Sequence, residues 1–552
     1  MTMIFMERSS DVSPKARGKF ILLVLTLLPG ALQAQVDTAW VRRYNGPGNR
    51  ADYLNDLAVD PSGNACVTGA SWVSGNGLDF ITIRYTPSGD TAWVRTFNGA
   101  GDSTDVACRV ALDRGGNVFV AGAGIGNNSK QDYLVLKYDS LGTLLWSRTY
   151  NGPSSEADVP NALALDSVGD AFVTGRSHGG NTGYDYLTIA YKPNGDTAWV
   201  RRYSGTASGY DEAFGVGMDR QTCVVVTGRS YMDSTRADYL TLKYSPTGDT
   251  LWSRRYDGNQ GDDIASDLIL DAEGNVCITG KSLGAAGNDV LTLKYAPDGT
   301  LRWARRYDGP AGGEDEGTGM TLDRFGNVAV CGSAATSGGT TDALILKYDS
   351  LGTLCWARTY DGPTGGSDVA RAVASDSLGN LYLTGRSVGV GTQEDFFTAC
   401  YDSGGNRRWV QHYDGQGGYD EALGIGLDRQ GDVLVTGQSW GGASSWDGAT
   451  IKYRPVTGVE KETDLTSTRS LVLKVYGPSQ DGCRLEYYLP TSGNVRIEIF
   501  DVRGARVREL LSGYRPAGEH YEMKSLSLTA GIYFLRLSAS GQECFGKTIL
   551  LR

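Results

Sequence analysis

Short apolar runs bounded by Gly, Pro, Asn and Asp recur along most of this chain. LAVD at residues 57–60, NVFVAG at 117–122, NVCITG at 275–280 and DYLTLKY at 238–244 are typical. Their length, β-branched content and period of two predict strands, and no stretch of helical length or period intervenes.

The runs belong to a repeat. Trp40, Trp93, Trp146, Trp199, Trp252, Trp303, Trp356 and Trp409 are spaced by 53 residues, except for one interval of 51. Each unit reads W-x-R-x-Y, a Gly-rich loop containing Asp, an apolar run ending in Asp, a D-x-x-G turn in most copies, a run of the NVCITG kind, a variable loop, then D-x-x-x-x-x-Y and a second tight turn. Four strands per unit predict an antiparallel meander. One such sheet buries too little to stand alone, so the units are expected to pack as blades around an axis. With the LAVD-type run innermost, residues 40–44 precede the first blade and supply the outer strand that the last blade lacks after residue 453, leaving no open edge.

DYLTLKYSPTGDTLWSRRY, followed by D-x-A and a V-T-G strand, resembles the bacterial SBBP β-propeller repeat family over about residues 36–455. That resemblance implies a propeller. The family name refers to seven blades; eight units are present here, so eight is the expectation and seven the alternative.

The tight turns and the longer loops should fall on opposite faces, and any ligand surface belongs with the loops. Two aspartates per unit also fall there. One set lies eight residues before the end of the inner run: Asp52, Asp105, Asp158, Asp211, Asp263, Asp315, Asp368 and Asp420. The other opens the third strand: Asp79, Asp132, Asp185, Asp238, Asp289, Asp342, Asp395 and Asp447. Read functionally, they form a carboxylate ring for calcium or sugar hydroxyls. Read structurally, they accept backbone N–H bonds, or pair with the Arg two residues beyond Trp (Arg42, Arg95, Arg148, Arg201, Arg254, Arg305, Arg358; Gln411 in the last unit). Every joint between blades needs the same brace, whereas a binding site rarely needs eight copies, so structure is preferred. The alternating Trp, Arg and Tyr of W-x-R-x-Y read as filling between blades. Unrepeated loop aromatics are the better binding candidates: Trp72, His178, Tyr184, Tyr210, Tyr231, Tyr419, Trp440 and Trp446.

Residues 456–470 are a polar linker. In residues 471–552, Val495, Ile497 and Ile499 alternate with polar positions, and GIYFLRL (531–537) and KTILLR (547–552) add strands, predicting a small Ig-like β-sandwich. YYLP, VRIEIFDVRG, RPAGEH and LTAGIYFLRL resemble the type A sorting domain of the type IX secretion system. That resemblance implies export by Sec, then passage across the outer membrane with this domain as the address and the type IX machinery as partner. The location implied is secreted or at the outer-membrane surface.

The N-terminal region supports export. Lys15, Arg17 and Lys19 precede the apolar run at residues 20–34, with small residues at Ala31 and Ala34, which reads as a signal peptide of residues 1–34. No run has the length of a membrane-spanning helix. A net charge of −11 with no basic stripe argues against nucleic acid. Nine scattered cysteines show no metal-ligand spacing. Cys66, Cys277 and Cys331 read as core residues, and Cys483 with Cys544 as a candidate disulfide. Three isolated histidines, no nucleophile elbow and no metal motif point to a non-enzymatic, monomeric binding or adhesive scaffold for glycans or proteins, with no cofactor or metal expected and calcium as the alternative. The alternatives are a carboxylate-dependent glycosidase or lyase and a quinone-dependent dehydrogenase. The latter shares a G-x-x-x-W element, but Tyr244 stands where its docking motif has Asp.

Overall fold

A computed structural model describes residues 36–455, apart from 74, 76, 102, 127–129, 206–208, 232–235, 259–260 and 444. It also describes residues 472–550, apart from 480–481, 490, 502–504, 525–530 and 540–541. The signal-peptide segment and the linker lie outside the described residues. The chain divides into two compact units at residues 458/459.

The first unit is all β. Residues 52–97, 106–150, 158–203, 212–256, 263–307, 316–360 and 369–413 each form one four-stranded antiparallel meander. In an eighth sheet, Asp420–Leu427, Val433–Gly442 and Ser445–Pro455 are completed by Val36–Tyr44. The first strand of each sheet packs on the first strand of the next, and Asp420–Leu427 packs on Asp52–Val59. The sheets therefore form a closed, propeller-like ring.

Each core is shared by neighbouring sheets, which is why one repeat cannot stand alone. Val225, Tyr239 and Trp252 from one sheet pack with Ala265, Leu268, Ile278, Leu291 and Leu293 of the next. Buried tyrosines also satisfy their hydroxyls across the gap: Tyr239 donates to the Leu291 carbonyl at 3.2 Å, and Tyr186 to that of Leu240 at 3.1 Å. Cys66, Cys277 and Cys331 are fully buried in these cores.

The hairpin at residues 245–249 shows how the joints are made. Gly248 donates to the Ser245 carbonyl at 2.8 Å and has φ +84°, closing a tight turn, and beyond it a bulge at Leu251 shifts the register, with Tyr244 opposite Thr250 but Lys243 opposite Trp252. Trp199 of the preceding sheet donates from Nε1 to the Pro246 carbonyl at 3.1 Å, and Arg201 Nε donates to the Gly248 carbonyl. A Cβ on Gly248 would lie 2.8 Å from the Trp199 ring. The same clasp joins Trp40 and Arg42 to Pro87 and Gly89, Trp93 and Arg95 to Ser140 and Gly142, Trp146 and Arg148 to Pro193 and Gly195, Trp252 and Arg254 to Pro297 and Gly299, Trp303 and Arg305 to Ser350 and Gly352, and Trp356 and Arg358 to Ser403 and Gly405.

The arginines two beyond Trp thus hold turn carbonyls; the expected pairing with aspartates is not what the structure shows. Strand parity is the reason. Arg255, not Arg254, stands opposite Leu240, on the strand face that carries Asp238. At Trp409 the following sheet has no hairpin to clasp, because its outer strand comes from the other end of the unit. There Gln411 replaces the arginine and donates to the Val36 carbonyl at 3.4 Å.

In the second unit, Val472–Ser479, Gly482–Leu489 and Gly518–Lys524 form one sheet, and Gly493–Phe500, Arg506–Arg515, Gly531–Ala539 and Gln542–Leu550 form another. Leu485 and Leu489 share a core with Val495, Ile497, Ile499, Leu535 and Leu537. Buried Glu498 is bridged by Arg506 at 2.9 Å and Arg536 at 2.7 Å. The Cys483 and Cys544 side chains lie outside what is described. No helix among the described residues is long and apolar enough to cross a membrane.

Candidate functional site

Meander connectivity places the hairpins between first and second and between third and fourth strands at one end of the ring. The other end carries the second-to-third loops and the links between sheets. All the nominated residues lie at or near this loop face.

Six of the first aspartate set, all but Asp263 and Asp368, staple those two kinds of loop together. Asp52 accepts the Gly46 N–H at 2.6 Å from the linking loop and the Trp72 N–H at 3.2 Å from the end of the second strand. Asp211 does the same with Gly205 and Tyr231, Asp315 with Gly309 and Ala335, and Asp420 with Gly415 and Trp440. Gly99, Gly152, Gly258 and Gly362 donate likewise to Asp105, Asp158, Asp263 and Asp368. Burial pushes the carboxyls of Asp52, Asp211, Asp263, Asp315, Asp368 and Asp420 up, against these hydrogen bonds, which favour the charged form.

The second set pairs with the residue three beyond Trp where that residue is arginine. Arg202 meets Asp185 at 3.0 Å, Arg255 meets Asp238 at 3.0 Å, Arg306 meets Asp289 at 2.9 Å and Arg43 meets Asp447 at 2.9 Å. The corresponding residues are Thr96, Thr149, Thr359 and His412 in the sheets of Asp79, Asp132, Asp342 and Asp395. Among the described residues, four junctions gather three carboxylates each, with one oxygen of each within 4.8 Å of the others: Asp238, Asp257 and Asp263; Asp289, Asp308 and Asp315; Asp342, Asp361 and Asp368; and Asp395, Asp414 and Asp420.

Six of the eight nominated aromatics form two clusters. In one, His178 meets Tyr184 edge-on with ring centroids 5.1 Å apart, and Tyr184 lies 4.9 Å from Tyr210. In the other, Trp446 lies between Tyr419 at 5.3 Å and Trp440 at 5.6 Å. All six are half-buried. Trp72 and Tyr231 join neither cluster; Trp72 lies under the Arg50 guanidinium, 4.9 Å away.

Both clusters rest on a buried glutamate and arginines that sequence reasoning did not single out. Glu212 is held by Arg176 at 2.5 Å and Arg229 at 2.9 Å. Those guanidiniums lie over Tyr210 at 5.4 and 4.4 Å. Glu421 is held by Arg371 at 2.7 Å and accepts from the Tyr419 hydroxyl at 3.0 Å, while Arg386 lies over the Tyr419 ring at 5.6 Å. The signal was available: GYDEA occurs at both 209–213 and 418–422, and TGRS at 174–177, 227–230 and 384–387. Electrostatically, each cluster is an aromatic surface backed by cations whose charge the buried glutamate partly neutralises.

No family profile matches the chain. Part of it is 31% identical over 140 residues to the regulatory protein FlaEY of Caulobacter vibrioides, a match covering 22% of this chain and 14% of that protein. The chain thus spans about a seventh of that relative's length. Among solved structures, the polysaccharide lyase Uly1 is 12% identical over 75% of this chain and 92% of its own, with a TM-score of 0.40. Drosophila Plexin A, solved in complex with Semaphorin 1b, is 8% identical over 76% and 87%, at 0.39. The Vibrio cholerae biofilm matrix protein Bap1 is 10% identical over 77% and 91%, at 0.31. At these TM-scores the likenesses are loose, and nothing about ligand or activity passes from them to this chain.

Proposed function

We propose that the protein is a non-enzymatic, eight-bladed β-propeller that works as a monomer outside the cell and binds glycans or proteins with its loop face. The observation that carries this reading is the pair of aromatic clusters, Tyr184–Tyr210 on Glu212 and Tyr419–Trp446–Trp440 on Glu421. Half-buried rings preset by cation–π and hydrogen-bond contacts offer apolar faces at low entropic cost, which suits sugar rings or a protein surface. Export and address rest on the signal-peptide pattern of residues 1–34 and the sorting-domain resemblance of residues 471–552, read as an Ig-like sandwich.

Glycan-array and cell-surface pull-down binding by the full chain tests the reading, with Tyr419→Ala and Trp446→Ala expected to lose the captured ligand. Retention of binding by both variants, or no binding across broad panels, overturns it. Release of reducing or unsaturated sugars, abolished by neutralising loop acids, would instead support the glycosidase or lyase alternative.

A further inference from the structure

The four three-carboxylate junctions are not equivalent, and the difference lies in their counter-charges. Asp238 and Asp289 each meet an arginine on the adjoining strand. At the junction of Asp395, Asp414 and Asp420, the corresponding residue is His412. It stands opposite Phe397, as Arg255 stands opposite Leu240, but its Nε2 is engaged by the Tyr360 hydroxyl at 2.7 Å. Arg43, in the next sheet, is committed to Asp447, Ser439 and Tyr413.

Asp395 is 5% exposed, and its Oδ1 is buried with no hydrogen-bond partner, while Oδ2 accepts only from the Thr392 hydroxyl at 3.0 Å. The charges that act most on Asp395 are those of Asp414, Asp420 and Glu394, all negative. A buried carboxylate oxygen without a donor is costly unless a cation meets it.

The geometry points to a hard divalent cation of the calcium class held between Asp395, Asp414 and Asp420. Calcium accepts oxygen ligands at about 2.3–2.6 Å, so two ligands on opposite sides of one ion stand up to about 5 Å apart. The carboxylate oxygens here lie within 4.8 Å of one another. Calcium completes its shell with water and tolerates irregular geometry, as a site on linking loops requires. The neighbouring trio of Asp342, Asp361 and Asp368 also lacks the arginine, having Thr359, but Asp342 is less buried.

Terbium, an oxygen-seeking stand-in for calcium excited through nearby indoles and phenols, tests the site on the full chain. Asp414→Asn is the informative variant. Asp414 is exposed, Asn45, Asn98 and Asn151 occupy the same place in other repeats, and the amide oxygen can still accept the Gly417 N–H. We expect calcium-displaceable terbium luminescence, at least 10-fold weaker binding in Asp414→Asn, and a calcium-dependent rise in melting temperature that this variant loses. Asp308→Asn, beside Asp289 and its Arg306, is expected to bind like the parent. Absence of displaceable luminescence, unchanged binding in Asp414→Asn, or an equal loss in Asp308→Asn overturns the assignment.

Discussion

Arg43 donates from Nη2 to Asp447 Oδ2 at 2.9 Å, joining residues 404 positions apart. The same guanidinium reaches Ser439 at 2.8 Å and Tyr413 at 3.1 Å, so one side chain ties the closing strand to the rest of its sheet and to the sheet before it. Removing residues 36–44 would bare the edge of Ser445–Pro455 and is expected to abolish cooperative unfolding and promote aggregation. Arg43→Ala keeps the strand and is expected to cost about 1–3 kcal/mol. An unchanged urea midpoint in Arg43→Ala would show that strand pairing alone secures closure.

The clasp at Gly248 makes a graded prediction. Trp199→Phe removes one hydrogen bond to Pro246 and is expected to cost about 1 kcal/mol. Gly248→Ala places a side chain at positive φ and against the indole, and is expected to cost about 1–3 kcal/mol. Thermal denaturation of the two variants should preserve that order.

Asp238→Ala is expected to lower the melting temperature, because it leaves Arg255 without its carboxylate partner, and to leave ligand binding unchanged. Lost binding with an unchanged melting temperature would move Asp238 from brace to binding site.

Much of this construction can be read from the sequence. The Trp period, the D-x-x-G turns and the alternating runs are local signals, and they predict all-β, four-stranded repeats. The arginine that meets Asp238 could not be found by counting. A bulge at Leu251 shifts the register by one, so the reachable arginine is three beyond Trp252, not two. The arginine clusters were hidden for a different reason. Arg176, Tyr210 and Arg229 come from two neighbouring sheets and the loop between them, and only the packing of those sheets brings them together.

A pH dependence follows from Asp267, on an inner strand. Burial pushes its carboxyl up to about 6, although it accepts the Met320 N–H at 2.9 Å. The unfolded value is about 3.9, so between the two the folded state holds the proton more tightly. Its contribution to stability is full below about pH 4 and is lost as pH rises through 6. Asp267→Asn is expected to flatten the fall in melting temperature between pH 5 and 7 and to raise it by about 1–2 °C at pH 7.5. A fall of the same steepness in the variant would assign the dependence to other groups.

The aromatic clusters separate binding from stability. Trp446→Ala and Tyr184→Ala are expected to weaken ligand binding at least 10-fold with melting within about 2 °C of the parent. Glu421→Gln is expected to lower both, since it removes the charge opposite Arg371.

Completion of the last sheet by Val36–Tyr44 also fixes the order of events during synthesis. The strand made first must wait for residues 445–455, made some 400 residues later, before it finds its partner. Until then the intervening sheets can assemble on one another, but the ring stays open, with the largest loop-closure cost left to the final step. The time at which the finished chain becomes resistant to proteolysis should therefore follow the pairing of Val36–Tyr44 with Ser445–Pro455 rather than the formation of any single sheet.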